Sequence, residues 1–152
     1  MVGTRGVEVV CRACKKRNRI PFGKLSASGT CGACKATLPH FDRPLELEHE
    51  ADFETILREA KVPVLIDYWA PWCGPCRMVA PELEKVARAR AGRALVLKVN
   101  TDRFQNIGAR QGIRSIPTMA VYLGGREVGR TAGARPAPQI ERYLDEQVGR
   151  AA

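Results

Sequence analysis

The stretch V-L-I-D-Y-W-A-P-W-C-G-P-C-R-M-V-A-P, Val64 to Pro81, decides the reading of this chain. With Pro63 before it, the run to Trp69 is almost wholly apolar, which suits a central strand buried on both faces. From Arg77 the apolar residues of R-M-V-A-P-E-L-E-K-V-A-R-A recur at helical spacing, with Pro81 an interior kink point. Cys73 and Cys76 therefore fall where a strand ends and a helix begins.

That position has chemical consequences. A helix N-terminus offers unpaired N–H groups and the positive end of the dipole, and both favour a thiolate at Cys73. The thiolate is the form that attacks a disulfide. Cys76, one turn inside the helix, can reach back and resolve a mixed disulfide. Pro75 fits the first helical turn because it has no N–H to leave unsatisfied. Gly74 leaves room for a substrate backbone to approach. Trp72 is either plain packing or an exposed anchor beside the turn.

Asp67 interrupts the apolar strand, and a carboxylate there needs a reason. Beneath a dithiol it can accept and return the proton that Cys76 must lose, directly or through a water. The plain alternative is a strand-end residue open to solvent. Lys98, in the apolar run A-L-V-L-K-V-N, is either the charge partner of Asp67 or a snorkelling surface lysine.

Outward from this centre the pattern is α/β. Leu45 and Leu47 alternate with Glu46 and Glu48 as a short strand. Asp52 is placed to cap a helix running to about Ala60. A-L-V-L-K-V-N reads as a second buried strand, and Asp102 as the start of a short helix to about Gln111. M-A-V-Y-L, G-G and R-E-V-G-R-T form a hairpin with a two-glycine turn. Pro136 to about Val148 closes the chain as a helix.

Toward the N-terminus the character changes. Residues 1–44 hold nine Lys/Arg against Glu8 and Asp42, a net +7 of the chain's +9; the remainder holds sixteen against fourteen, a net +2. Val7, Val9, Val10, Ile20, Phe22 and Leu25 are too few for a self-sufficient core, so the segment needs a metal or crosslinks. The other four cysteines supply one. Cys11, Cys14, Cys31 and Cys34 form C-x2-C-x16-C-x2-C, the spacing of a two-knuckle zinc ribbon. Four thiolates make a closed tetrahedral structural site for one Zn²⁺; the competing reading is two redox-active disulfides, less usual in a reducing compartment. Arg12, Lys15, Lys16, Arg17 and Lys35 would offset its charge, and His40 and His49 are read as surface residues. Leu38 to Pro44 is a linker broken by two prolines. The division is a zinc-ribbon-like module over 1–40 and an α/β domain over 41–152.

The chain is 45% hydrophobic and 27% charged, with no run of membrane-span length. Its start, M-V-G-T-R-G-V-E-V-V-C, shows no apolar signal-peptide region, so a reducing cytoplasm is expected. No Gly-rich dinucleotide fingerprint occurs, so no bound organic cofactor is expected and electrons must come from a partner.

Residues of about Leu45–Val148 resemble thioredoxin: the opening stretch, then V-N-T-D, S-I-P-T, G-G-R-E-V and G-A. The resemblance implies a thioredoxin fold, a central mixed sheet flanked by helices. It implies Cys73 as nucleophile, Cys76 as resolving thiol and Asp67 as proton acceptor. It further implies a cis bond before Pro117, which faces the dithiol, with Ile116 offering backbone hydrogen bonds to an extended substrate. Trp72, Gly74, Pro75, Ile116, Gly133 and Ala134 match the family's contact surface. Pro71 departs from the polar or acidic residue found in many members. With its N-terminal extension the chain resembles the bacterial zinc-containing thioredoxins of the thioredoxin 2 type.

The expected function is a monomeric cytoplasmic protein-disulfide reductase. Its expected partners are disulfide-containing proteins and an NADPH-dependent thioredoxin reductase. Two rivals are a redox switch that releases zinc on oxidation and a basic ribbon carried on a thioredoxin scaffold to bind nucleic acid or an anionic protein. Phe22 is the ribbon's only aromatic residue for base stacking, which weakens the nucleic-acid reading.

Overall fold

The computed structural model describes residues 6–151. Met1–Arg5, part of the start that shows no signal-type run, and Ala152 lie outside the described residues.

A five-stranded sheet forms the body. Its strands are β3 (Leu45–Glu46), β4 (Val64–Trp69), β5 (Leu95–Asn100), β6 (Thr118–Leu123) and β7 (Arg126–Ala132), in the order β3-β5-β4-β6-β7. β3 and β4 run parallel to β5, whereas β6 and β7 are antiparallel, so the sheet is mixed. The β6–β7 hairpin turns on Gly124 and Gly125, whose φ angles of 62° and 81° lie in the left-handed region that a tight hairpin turn demands.

Helices cover both faces. On one, α2 (Gly74–Ala89) and α4 (Ala137–Ala151) bury Val79, Leu83, Val86, Ile140 and Leu144 against Leu65, Val96, Met119 and Val121. On the other, α1 (Glu50–Glu59) and α3 (Gln105–Arg110) bury Phe53, Ile56, Leu57 and Ile107 with Ile66, Tyr68, Leu97 and Val99. Strand side chains alternate between faces. Asp67, two residues from Leu65, therefore sits on the α2 face, beneath the helix that carries the cysteines. α2 continues through Pro81 without a break.

The N-terminal piece consists of the hairpin β1 (Val7–Val10) and β2 (Arg17–Ile20), a 3-10 turn at Phe22–Lys24 and the two cysteine knuckles. Its few apolar residues do not form a core alone. Val7, Val9, Cys11, Phe22, Leu25, Cys31 and Leu38 belong to the same buried cluster as Leu45, Leu47, Phe53 and Ile56. The module thus completes its core on the β3–α1 edge of the body, and the Arg43 guanidinium ties the connecting segment to the Glu8 carbonyl at 3.3 Å.

Three local expectations need correction. α1 starts at Glu50 with His49 as its N-cap, so Asp52 lies within the first turn and is buried instead of capping. Phe104, not Asp102, precedes α3. His40 is half-buried rather than a surface residue, with Nδ1 enclosed and without a partner. Gly92, at φ 78°, explains its seat: a Cβ there would approach the His40 imidazole to 2.6 Å.

Candidate functional site

Cys73 is the N-cap of α2, and its Sγ accepts the Cys76 backbone N–H at 3.2 Å. Pro75 occupies the first turn. Cys73 and Cys76 are joined in a disulfide, with their Cα atoms 5.3 Å apart. Both are almost fully buried, in a small cluster with Ala70, Trp69 and Ile116. A Cβ added at Gly74 would meet nothing within 4 Å, so the tip of the turn faces open space. The Ile116–Pro117 peptide bond is cis, and the Ile116 carbonyl lies 3.8 Å from Cys73 Sγ. The Gly133 N–H donates to the Pro117 carbonyl at 2.9 Å, which draws the loop carrying Ala134 to the same end of the sheet.

Trp72 is 67% exposed, and its indole N–H donates to both Asp102 carboxylate oxygens at 3.2 and 3.0 Å. This fixes the ring beside a groove of about 400 Å³ whose lining includes Trp72, Ala109, Ile113, Arg114 and Ile116. A second groove, of about 350 Å³, is bounded by Met78, Ala134 and Arg135. An exposed apolar rim around a recessed sulfur suits a site that admits an extended chain.

Asp67 has no exposed surface, and neither carboxylate oxygen has a hydrogen-bond partner. Burial pushes its pKa up to about 7; Lys98 opposes the shift and Glu46 adds to it. A buried carboxyl poised near neutrality can take and return a proton, the property required of a general base at this pH. Lys98 is paired in register with Asp67 across β4 and β5 and is half-buried. Its ammonium rests over the Trp69 ring, 4.6 Å from the centroid.

The outer four cysteines converge. Their sulfurs all lie within 4.8 Å of one another, with Cys11–Cys34 and Cys14–Cys31 each at 3.6 Å. A tetrahedron with Zn–S bonds of about 2.3 Å has sulfur–sulfur edges of about 3.8 Å, so the donor set fits a four-thiolate zinc. The two knuckles share one hydrogen-bond pattern. In each, the first cysteine's carbonyl accepts from a lysine N–H, from Lys15 at 2.9 Å and from Lys35 at 3.0 Å. Both lysines have left-handed φ angles, 66° and 67°. Their ammonium groups bind the Arg12 and Gly32 carbonyls instead of pointing at sulfur. Backbone N–H groups of Cys34 and Ala33 lower the Cys31 pKa to about 6. Such amides favour the thiolate a metal requires.

Three contributors escape a reading of the sequence. Asn18 donates to Cys31 Sγ at 3.5 Å and accepts from Gly32 N–H at 3.0 Å, bracing one knuckle from β2. Asp102 holds Trp72 from thirty residues away. Glu46 accepts the Trp69 indole N–H at 3.1 Å. Asp102 closes the V-N-T-D stretch, but its contact with Trp72, like those of Asn18 and Glu46, is one that only the fold creates.

Comparison with known proteins agrees with this geometry. A family described as Thioredoxin matches residues 43–146, and one described as Thioredoxin 2, N-terminal, matches residues 10–36. The chain is 36% identical over 140 residues to Thioredoxin C-3 of Corynebacterium nephridii, spanning 92% of this chain and 94% of that one. It is 39% identical over 100 residues to a thioredoxin of Haemophilus influenzae, spanning 66% and 94% of the two. A mutant thioredoxin from Halobacterium salinarum superposes with a TM-score of 0.64 at 26% identity, covering 70% of this chain and 92% of that one.

Proposed function

The chain belongs to the thioredoxin family and is a thiol-disulfide oxidoreductase; from this premise we propose that it is a cytoplasmic protein-disulfide reductase whose zinc ribbon is structural. The observation that carries the reading is the Cys73 sulfur at the N-cap of α2, accepting the Cys76 N–H. In the reduced protein the same N–H stabilises a Cys73 thiolate. That thiolate attacks one sulfur of a substrate disulfide. A Cys73–substrate bond forms, the substrate S–S bond breaks and one substrate thiolate leaves. Cys76 then gives its proton to Asp67 and attacks the Cys73 sulfur. The Cys73–Cys76 disulfide forms and the second substrate thiolate departs, so two electrons have passed to the substrate. Lys98 moderates the ionisation of Asp67. Trp72, Gly74, Pro75, Ile116, Pro117, Gly133 and Ala134 form the contact surface, with the Ile116 backbone pairing an extended substrate.

An NADPH-dependent thioredoxin reductase restores the dithiol, and the protein works as a monomer. Residues 1–40 form the metal module and 41–152 the catalytic domain. Cys11, Cys14, Cys31 and Cys34 hold one Zn²⁺, which crosslinks a segment with too little core of its own. The cytoplasmic assignment is supported by the convergence of these four cysteines as a metal donor set instead of as disulfides, an arrangement that suits a reducing compartment. Among the described residues no helix is long and apolar enough to cross a membrane.

The test is a pair of substitutions assayed with reduced protein on a disulfide-bearing protein such as insulin. Cys73→Ser should abolish reduction. Cys76→Ser should still form the first bond and accumulate a mixed disulfide visible by mass spectrometry. Accumulation with Cys73→Ser instead would reverse the roles of the two cysteines.

A further inference from the structure

The oxidoreductase chemistry gives no role to Glu46, a half-buried carboxylate beside Lys98. Glu46, Lys98 and Asp67 stand side by side on three adjacent strands. Glu46 is in register with Lys98 across β3 and β5, and Lys98 with Asp67 across β5 and β4. In-register residues of neighbouring strands project from the same face. The row is therefore carboxylate, ammonium, carboxylate, with one cation between two anions. Glu46 Oε2 accepts the Trp69 indole N–H at 3.1 Å, and the Lys98 ammonium lies over that same indole ring at 4.6 Å. Glu46 thus acts on Lys98 twice, by its charge and by fixing the ring that carries the ammonium. Asp67, at the inner end of the row, has no hydrogen-bond partner.

We propose that Glu46 is a positioning residue for proton transfer: it competes with Asp67 for Lys98 and so keeps the lysine from being the partner of Asp67 alone. The inference rests on the reading of Asp67 as proton acceptor. Without a second anion, Lys98 would act on Asp67 alone and make its carboxylate a weaker base toward the Cys76 thiol. The charged groups around the row are few. Glu84 and Arg88 on α2, with Asp42 and Arg43 of the connecting segment, line a cleft of about 260 Å³ that reaches Glu46 and Lys98. Arg103 and Glu48 also act on Glu46, the first favouring its charge and the second opposing it. β6 places the uncharged Met119 opposite Asp67, and Asp67 lies on the sheet face that α2 covers. Glu46 is half-buried at the cleft, whereas Asp67 has no exposure. Burial raises the pKa of both, and each carries the Lys98 charge as an opposing influence.

The test is an NMR titration of the Asp67 side-chain carboxyl in the full-length protein, in the wild type, Glu46→Gln and Glu46→Asp. Glu46→Gln keeps an acceptor for the Trp69 indole and removes only the charge. It should lower the Asp67 midpoint by roughly half a pH unit, about a threefold weaker hold on the proton. Glu46→Asp keeps the charge and should shift the midpoint less than half as far. In the wild type, the Asp67 resonance should also show a minor inflection at the pH where Glu46 itself titrates. An unmoved midpoint in Glu46→Gln, equal shifts in both variants, or no second inflection in the wild type would each overturn the proposal. The last needs no variant to fold. The acceptor role is tested separately by Asp67→Asn: unchanged pH dependence of Cys76 reactivity would defeat that reading while leaving the Glu46 titration result standing.

Discussion

Replacing Asp67 by Asn should stabilise the oxidised protein at neutral and alkaline pH and leave it nearly unchanged in acid. Asp67 is fully buried with two unpartnered oxygens, and it ionises at about 7 in the fold against 3.8 for an ordinary aspartate. Between those two values the folded chain keeps a proton that the unfolded chain has lost. The unfolded state then binds fewer protons, so stability falls as pH rises. The loss begins near the unfolded value and levels off above the folded one. At about 1.4 kcal/mol per pH unit over an interval of about three units, Asp67 costs roughly 4 kcal/mol of folding free energy by pH 8. Asn has the same shape and no charge to desolvate. Asp67→Asn should therefore unfold at a higher guanidinium concentration than the wild type at pH 8. The gap should shrink through pH 6 and fall within about 1 kcal/mol at pH 4. Chemical denaturation of both oxidised proteins across this range measures it. A gap that stays constant with pH would refute the reasoning, because a packing effect does not titrate.

Other outcomes follow from the same geometry. The purified protein should hold about one zinc per chain, and mild diamide should remove two thiols while the zinc stays bound. Cys31→Ser should abolish zinc retention and lower the melting temperature, because the module's packing on β3 and α1 depends on the crosslink; loss of zinc together with four or more thiols in the wild type would favour the zinc-releasing switch. Trp72→Ala should raise KM for a protein disulfide several-fold, about 1–2 kcal/mol, with little effect on a small aromatic disulfide, as steady-state kinetics on the two substrates will show. Gly92→Ala should cost about 1–3 kcal/mol in denaturation, since its φ is left-handed and the new Cβ meets the His40 ring.

The architecture is legible wherever a short-range pattern carries it. The Val64–Trp69 and Leu95–Asn100 strands and the two-glycine hairpin lie within a residue or two of where apolar periodicity puts them, and the helix after Cys73 starts three residues before its periodic run. The helix starts are less legible. Asp52 and Asp102 are residue types that favour caps, but neither caps here, because one is buried in the first turn of α1 and the other binds the Trp72 indole. His40 reads as a surface residue because nothing near it in sequence announces Gly92, fifty-two positions on. The same limit hides Glu46. Leu45 and Leu47 mark their strand by alternation, and Glu46 looks like its solvent side. Only the parallel pairing of β3 with β5 turns that side toward Lys98 and Trp69.

Three pairs of identical spacing sit in two arrangements, and the backbone after the first cysteine separates them. After Cys73 the chain enters sixteen residues of helix, so its sulfur meets the aligned amides of α2 beside a sealed carboxyl that can move a proton. After Cys11 and Cys31 it turns back at a left-handed lysine, so each pair closes on itself and faces the other pair across 3.6 Å contacts. The first arrangement leaves one sulfur pair next to open grooves and a buried carboxyl. The second surrounds each sulfur with three others and gives none of them a carboxylate. A thiolate held among three like charges needs a cation more than it needs a substrate, and a divalent metal answers that need while a disulfide partner does not. Substituting the residues inside the outer pairs by Gly-Pro should therefore not make them catalytic: neither pair opens a helix, and neither has an Asp67 beneath it. Insulin reduction by a Cys73→Ser, Cys76→Ser variant carrying Gly-Pro in both knuckles should stay at the uncatalysed rate. Measurable turnover would show that the dipeptide, and not its place in the fold, makes the redox site.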